Sequence, residues 1–131
     1  MRKLVPFVYL TFVLLLHVPG AYAQKSTERY IPIGQSPGLS GKHTLIGKVQ
    51  AVNPQDRTII CSHAGGTALV KVAHNTEIWL DRSKLKLPNV AGTLADCSTD
   101  RLIEVKYKNN VHKDGGEAEW IKVQVTEAGA K

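Results

Sequence analysis

Catalytic signatures are missing from this sequence. Ser62 and Ser98 lack the G-x-S-x-G setting of a nucleophile elbow, no glycine-rich loop follows a strand and opens a helix, and the acidic residues are scattered. These absences point to a non-enzyme, and no cofactor is expected. Metal-ligand spacing is absent too, since none of His43, His63, His74 and His112 forms an H-x-H or H-x-x-x-H pair. Cysteine is scarce, with two residues and no C-x-x-C pair, which argues against a thioredoxin-like redox centre. The dense Lys/Arg stripe of a nucleic-acid binder is not present, although the formal net charge is +6. Only one long apolar run occurs, over 4–16, and it falls short of the about 20 residues that span a bilayer, so no integral membrane anchor is expected.

That run has the character of an export leader. Met1-Arg2-Lys3 makes a basic start, the apolar stretch is interrupted only by Pro6 and Thr11, and Ala21-Tyr22-Ala23 offers the small residues of an A-x-A cleavage site. The expectation is a signal peptide over 1–23 and a periplasmic or secreted protein beginning at Gln24. An acylated lipoprotein would need a cysteine where Gln24 stands. Cleavage leaves 108 of the 131 residues, one domain's worth of chain, with Lys plus Arg reduced from 17 to 15 against 11 acids. The mild excess of positive charge favours anionic partners such as a phosphate-bearing polysaccharide.

Cys61 and Cys97 both lie in the exported portion, where oxidising conditions let disulfides persist. A Cys61–Cys97 bridge is therefore expected, stabilising the domain by roughly 4 kcal/mol through the closed loop.

Residues 24–42 contain Pro32, Gly34, Pro37, Gly38 and Gly41 among few apolar residues, which predicts an extended N-terminal arm on which Tyr30, Ile31 and Ile33 offer the docking side chains. Beyond it, period-two patterning takes over across 43–126. Leu45, Gly47, Val49 and Ala51 alternate with Ile46, Lys48 and Gln50, and Asn53-Pro54-Gln55-Asp56 supplies a turn. A second strand covers 58–63, and Ala64-Gly65-Gly66 turns the chain. Ala68, Val70 and Val72 share one face of a third strand; Thr76, Ile78 and Leu80 continue that phase, either as its extension or as a separate strand. Residues 82–100 lose the alternation and read as a long crossover with one helical turn near 83–87. Ile103, Val105 and Tyr107 mark the inner face of the next strand, 109–116 a hairpin loop, and Ile121, Val123 and Val125 the inner face of the last, before a tail at 127–131.

Five or six short strands with one long crossover predict an all-β domain, with at most one short helix: a small Greek-key barrel like the oligonucleotide/oligosaccharide-binding (OB) fold. At Gly47, Val49 and Val52, Thr76 and Ile78, Ile103 and Val105, and Ala118, Ile121 and Val123, the chain resembles a family of small exported bacterial domains of unknown function with OB-like barrels. The likeness runs over about 44–125 and rests on packing and turn residues. It implies the fold and transfers no functional residue. Ser98-Thr99-Asp100 departs from the family pattern, which has a glycine before the fourth strand.

The candidate ligand face is the polar side of the last two strands, where Lys106, Lys108, Trp120, Lys122 and Gln124 share one side. Lysines interleaved with an exposed tryptophan hold an anionic sugar by charge and stacking. A second mixed stretch, Trp79 with Asp81, Arg82, Lys84 and Lys86, reads as a solvated loop anchored by its aromatic ring. His63 and His74 lie on neighbouring strands and form the weaker, metal-ligating candidate. The functional expectation is a non-catalytic exported binding or accessory module for an envelope component, an anionic glycan or a partner protein; nucleic acid is not expected. The alternative is a periplasmic metal-handling or redox accessory protein.

Overall fold

The computed structural model describes residues 27–110 and 115–127. The leader expected over 1–23, His112 and the residues from 128 onward lie outside them. Seven strands form one sheet: β1 (Leu45–Asn53), β2 (Thr58–His63), β3 (Gly66–Lys71), β4 (Glu77–Asp81), β5 (Val90–Ala91), β6 (Leu102–Tyr107) and β7 (Gly116–Gln124). Their order is β3-β2-β1-β6-β7-β4-β5, and a parallel contact of Val70 and Lys71 with Gly116 and Glu117 closes β3 onto β7. The result is a closed five-stranded barrel with two extra strands, an all-β fold of the OB-like kind. Closure removes the unpaired edges that would otherwise template aggregation.

Inward side chains follow the expected alternation. Ile59, Val70, Ile103, Val105, Ile121 and Val123 are fully buried in a single core with Val49, Tyr107 and Ala118. Ala51 is the exception. A register shift between Val49 and Ala51 puts a bulge into β1, so Ala51 is exposed and Val52 turns toward the core instead. Bulges of this kind add local twist and help a short sheet coil into a barrel. Gly47 leaves no room for a side chain against β2: a β-carbon there would lie 2.2 Å from the Ser62 carbonyl oxygen and 2.7 Å from Cys61 Sγ.

The run after β3 is a separate strand that continues along the same neighbour. Glu77 to Asp81 pair in parallel with Trp120 to Gln124, so β3 and β4 ride successively on β7. Thr76 makes the corner between them, its hydroxyl accepting from the Ala73 amide and donating to the Ala118 carbonyl. The crossover carries 3-10 turns at Ser83–Leu85 and Leu94–Asp96.

The expected disulfide is corrected by this arrangement: Cys61 and Cys97 are both buried free thiols. Cys61 faces inward from β2, with its sulfur held against Gly47 and the Ser62 carbonyl, while Cys97 ends the second 3-10 turn. Each fills core volume as a small hydrophobe. Burial pushes the Cys61 thiol up to about 11; burial, then the charge of neighbouring Asp96, pushes Cys97 up to about 12.

Candidate functional site

The arm is no free linker. Residues 27–44 fold through successive reverse turns onto the outer face of β6, β7 and β4, where a set of hydrogen bonds anchors them. The amide of Ile33 donates to Asp81 Oδ2 at 2.8 Å and that of Gly34 to Glu104 Oε1 at 3.0 Å. The Thr44 hydroxyl donates to Glu104 Oε2 at 2.7 Å. Glu28 accepts from Ser36 Oγ and from Lys122 Nζ, the latter at 2.8 Å, and Lys122 also donates to the Ile31 carbonyl. Asn89 from the crossover donates to the Arg29 carbonyl and accepts from the Arg82 amide.

Of the expected ligand face of Lys106, Lys108, Trp120 and Lys122, the structure buries Trp120 and Lys122 and leaves Lys106 and Lys108 half-buried. Lys122 is 0% exposed and Trp120 2%, because the arm covers the row in which Glu104, Lys122 and Trp79 are cross-strand neighbours. Trp120 packs on Trp79 with ring centroids 5.4 Å apart and carries the Lys122 ammonium 4.8 Å above its ring. Lys106 is engaged by Glu119, and Lys108 by Glu117. The Trp79–Lys86 stretch is likewise divided: Trp79 and Asp81 are buried under the arm, Arg82 Nε donates to the Pro88 carbonyl, and Lys84 and Lys86 face solvent.

The histidine pair is corrected by the register of the β2–β3 hairpin. His63 opposes Gly66 at one end and Thr58 opposes Lys71 at the other, with His74 beyond Lys71. At about 3.4 Å per residue the step from His63 to Thr58 spans on the order of 17 Å, so the register sets His63 and His74 toward opposite ends of the hairpin. His63 Nδ1 accepts from the Gly65 amide, and His43 and His74 are exposed. Among the described residues no group of three or more His, Cys, Asp or Glu could hold a metal.

What stays open is the opposite side of the barrel. On the outer face of β1, β2 and β3, Ala51, Ile60 and Leu69 form a cross-strand row, with Ile60 40% exposed. Lys48, Gln50, Ser62 and Thr67 flank it in water. At the end of the hairpin next to Lys71, an open cleft of about 290 Å³ lies between the β1–β2 turn and the starts and ends of β2, β3 and β7. Its walls carry Asp56, Arg57, Lys71 and Glu117, and Val72 and Ala73 line its apolar part. Asn53 organises the turn: its Oδ1 accepts from the Gln55 and Asp56 amides and its Nδ2 donates to Asp56 Oδ2. Arg57 follows in the left-handed region, at φ 53°, and donates from Nε to the Val72 carbonyl at 2.9 Å and from Nη2 to the Ala73 carbonyl at 3.3 Å. None of these cleft residues stood out in the sequence, where the turn reads as a turn and Lys71 as one polar position among several.

No family model matches this chain, and no curated protein matches it. Among solved structures, the Cu(II) structure of a CusF variant from Escherichia coli is similar, at 12% identity and a TM-score of 0.40, over 61% of this chain and 88% of that one. At that level the similarity gives no residue here a role.

Proposed function

We propose that this protein is a non-catalytic, exported binding or accessory module of the small OB-like family described above, and that it engages an anionic glycan, another envelope component or a partner protein through the bare β1–β2–β3 side and its adjoining cleft. The observation that carries this reading is the position of that cleft. OB barrels take extended ligands on the face of their second and third strands and on the loops joining strands one to two and four to five. Here the cleft is bounded by the β1–β2 turn, the end of β3 and the start of β7. The fold supplies this expectation by analogy, and the excess of basic residues favours anionic partners. The metal or redox alternative finds less support, since His63 and His74 are far apart and both thiols are buried and protonated at neutral pH.

The test is residue-resolved. Protein beginning at Gln24 is labelled with nitrogen-15 and titrated with lipopolysaccharide, anionic oligosaccharides and neutral oligosaccharides of matched length. Saturable amide shifts confined to β1, β2, β3 and the cleft are expected for the anionic members. Shifts confined to the arm-covered side, or none with any of them, would overturn the assignment.

A further inference from the structure

The cleft joins a fixed cation to a mobile one, and neither has a carboxylate partner among the described residues. Arg57 is held by the two backbone carbonyls at the end of β3, which orient its guanidinium and leave Nη1 unused by any of the described hydrogen bonds. Lys71 is exposed and makes no described ion pair. The carboxylates nearby are directed elsewhere: Asp56 accepts from the Asn53 side chain, and Glu117 is paired with Lys108. With Lys108 counted, three cations stand against two carboxylates among the described residues around this opening, beside the apolar wall of Val72 and Ala73. Such a wall lowers the local dielectric and strengthens attraction for an incoming anion.

Arg57 also occupies a left-handed backbone conformation that is strained for a non-glycine residue. Asparagine or glycine would sit there with less strain. What the arginine adds is a planar fork already oriented on its two carbonyls, so little further side-chain freedom is lost when an anion arrives. Among the described residues no aromatic ring lines the cleft, so charge rather than stacking is the means of recognition they offer.

We propose that this cleft is an oxyanion subsite, in which the Arg57 guanidinium and the Lys71 ammonium together bind one phosphate, sulfate or carboxylate group of a larger ligand. The proposal rests on the binding-module reading and names the chemistry of its site. The cavity volume, close to the lower end of the roughly 300–1,000 Å³ usual for small-molecule sites, suits one charged sugar unit better than a long buried segment.

The experiment titrates labelled protein with inorganic phosphate, sulfate and acetate, with sodium chloride as the ionic-strength control. Saturable shifts at the Arg57 side-chain Nε–H and at the amides of Arg57, Thr58 and Ala73 are expected from at least one oxyanion and not from chloride; phosphate against acetate tells which oxyanion class is preferred. Lys71→Glu should weaken that binding about tenfold or more with little change in melting temperature, because the Lys71 side chain is exposed and makes no described hydrogen bond or ion pair. Arg57→Lys, which keeps the charge and loses the fork, should weaken it about fivefold. A merely structural Arg57 would change the melting temperature and leave the response of Lys71→Glu equal to that of the parent, and that equality overturns the proposal. So do shifts no different from those in chloride. If the small anions fail while anionic oligosaccharides still shift the bare face, the subsite alone falls. If they saturate the cleft while no oligosaccharide binds, the subsite stands and the module reading falls.

Discussion

The outward side chains of β6, β7 and β4 and those of β1, β2 and β3 come from the same alternation, yet the row around Glu104, Lys122 and Asp81 is sealed and the other set is wet. On the sealed side Glu104, Lys122 and Asp81 are buried, and every one of them has its partner in the arm: Gly34 and Thr44 for Glu104, Glu28 and Ile31 for Lys122, Ile33 for Asp81. On the other side Lys48, Gln50, Ser62, Thr67 and Lys71 meet water directly. The difference teaches that a polar outward phase does not mean an exposed face. Charges under a cover persist when the cover brings hydrogen-bond partners for each of them, because an unpartnered buried charge is too costly to keep.

The strongest way to break the contrast is to remove the cover. Protein lacking residues 24–43 should expose Trp79 and Trp120, shifting their emission to the red and opening them to iodide quenching. It should also lose several kcal/mol of stability by urea denaturation, a large part of the ~5–15 kcal/mol typical of a domain. Unchanged emission and quenching would mean that the arm does not sit where it is placed here.

A single atom group tests the same point more finely. Glu28→Ala leaves Lys122 buried without its counter-charge and is expected to cost about 3–5 kcal/mol in chemical denaturation, whereas Lys71→Ala on the bare side should stay within about 0.5 kcal/mol of the parent. The double replacement Glu28→Met with Lys122→Met should recover much of the loss, since an apolar pair of similar volume carries no desolvation penalty. Equal effects on the two sides would erase the distinction.

Much of the barrel was legible because one-sided burial writes a period of two into the chain. The inner phases of β3, β4, β6 and β7 follow from it directly, as does the β1–β2 turn at Asn53. Ala51 was not legible, since a bulge reverses phase without any residue type that signals it. Nor was the parallel seating of β4 on β7, a long-range pairing that local pattern does not encode. The arm escaped for another reason. Ile33 and Gly34 dock through backbone amides, which every non-proline residue possesses, so Pro32, Gly34 and Pro37 read as linker while the chain folds back. The alternation puts Lys122 and Trp120 on one face, but the cover over that face lies some ninety residues upstream. The cleft was hidden because Arg57 and Lys71 meet only once the barrel closes.

Strand crossing gives a smaller effect, on the boundary between the two sides. Gly47→Ala would drive a methyl group into the Ser62 carbonyl and Cys61 Sγ, and the backbone must move to admit it. Overpacking of this kind costs about 1–3 kcal/mol. The denaturation midpoint should fall, and amide shifts should concentrate in β1 and β2 while the arm keeps its own. A midpoint equal to the parent's would mean that β1 and β2 leave room for a methyl group at Gly47.

The two thiols sharpen the comparison least in energy and most in chemistry, since both belong to the core that the two faces share. Protein exported and purified without reductant should give the mass of two free thiols, and Ellman's reagent should react with them at neutral pH only after unfolding. A mass lower by two hydrogens would restore the bridge. The sign of their pH effect follows from burial. Folded pKa values of about 11 for Cys61 and about 12 for Cys97 lie above the ordinary 9.0, so the folded state holds these protons more tightly than the unfolded chain does. Their contribution is fully present below pH 9.0 and is lost progressively as the pH climbs toward 11 and 12, because the unfolded thiols ionise first. Lysines titrate in the same range, so the informative quantity is a difference. Stability of the parent should fall more steeply above pH 9.0 than that of Cys61→Ala, and parallel curves would mean that Cys61 meets water in the folded protein.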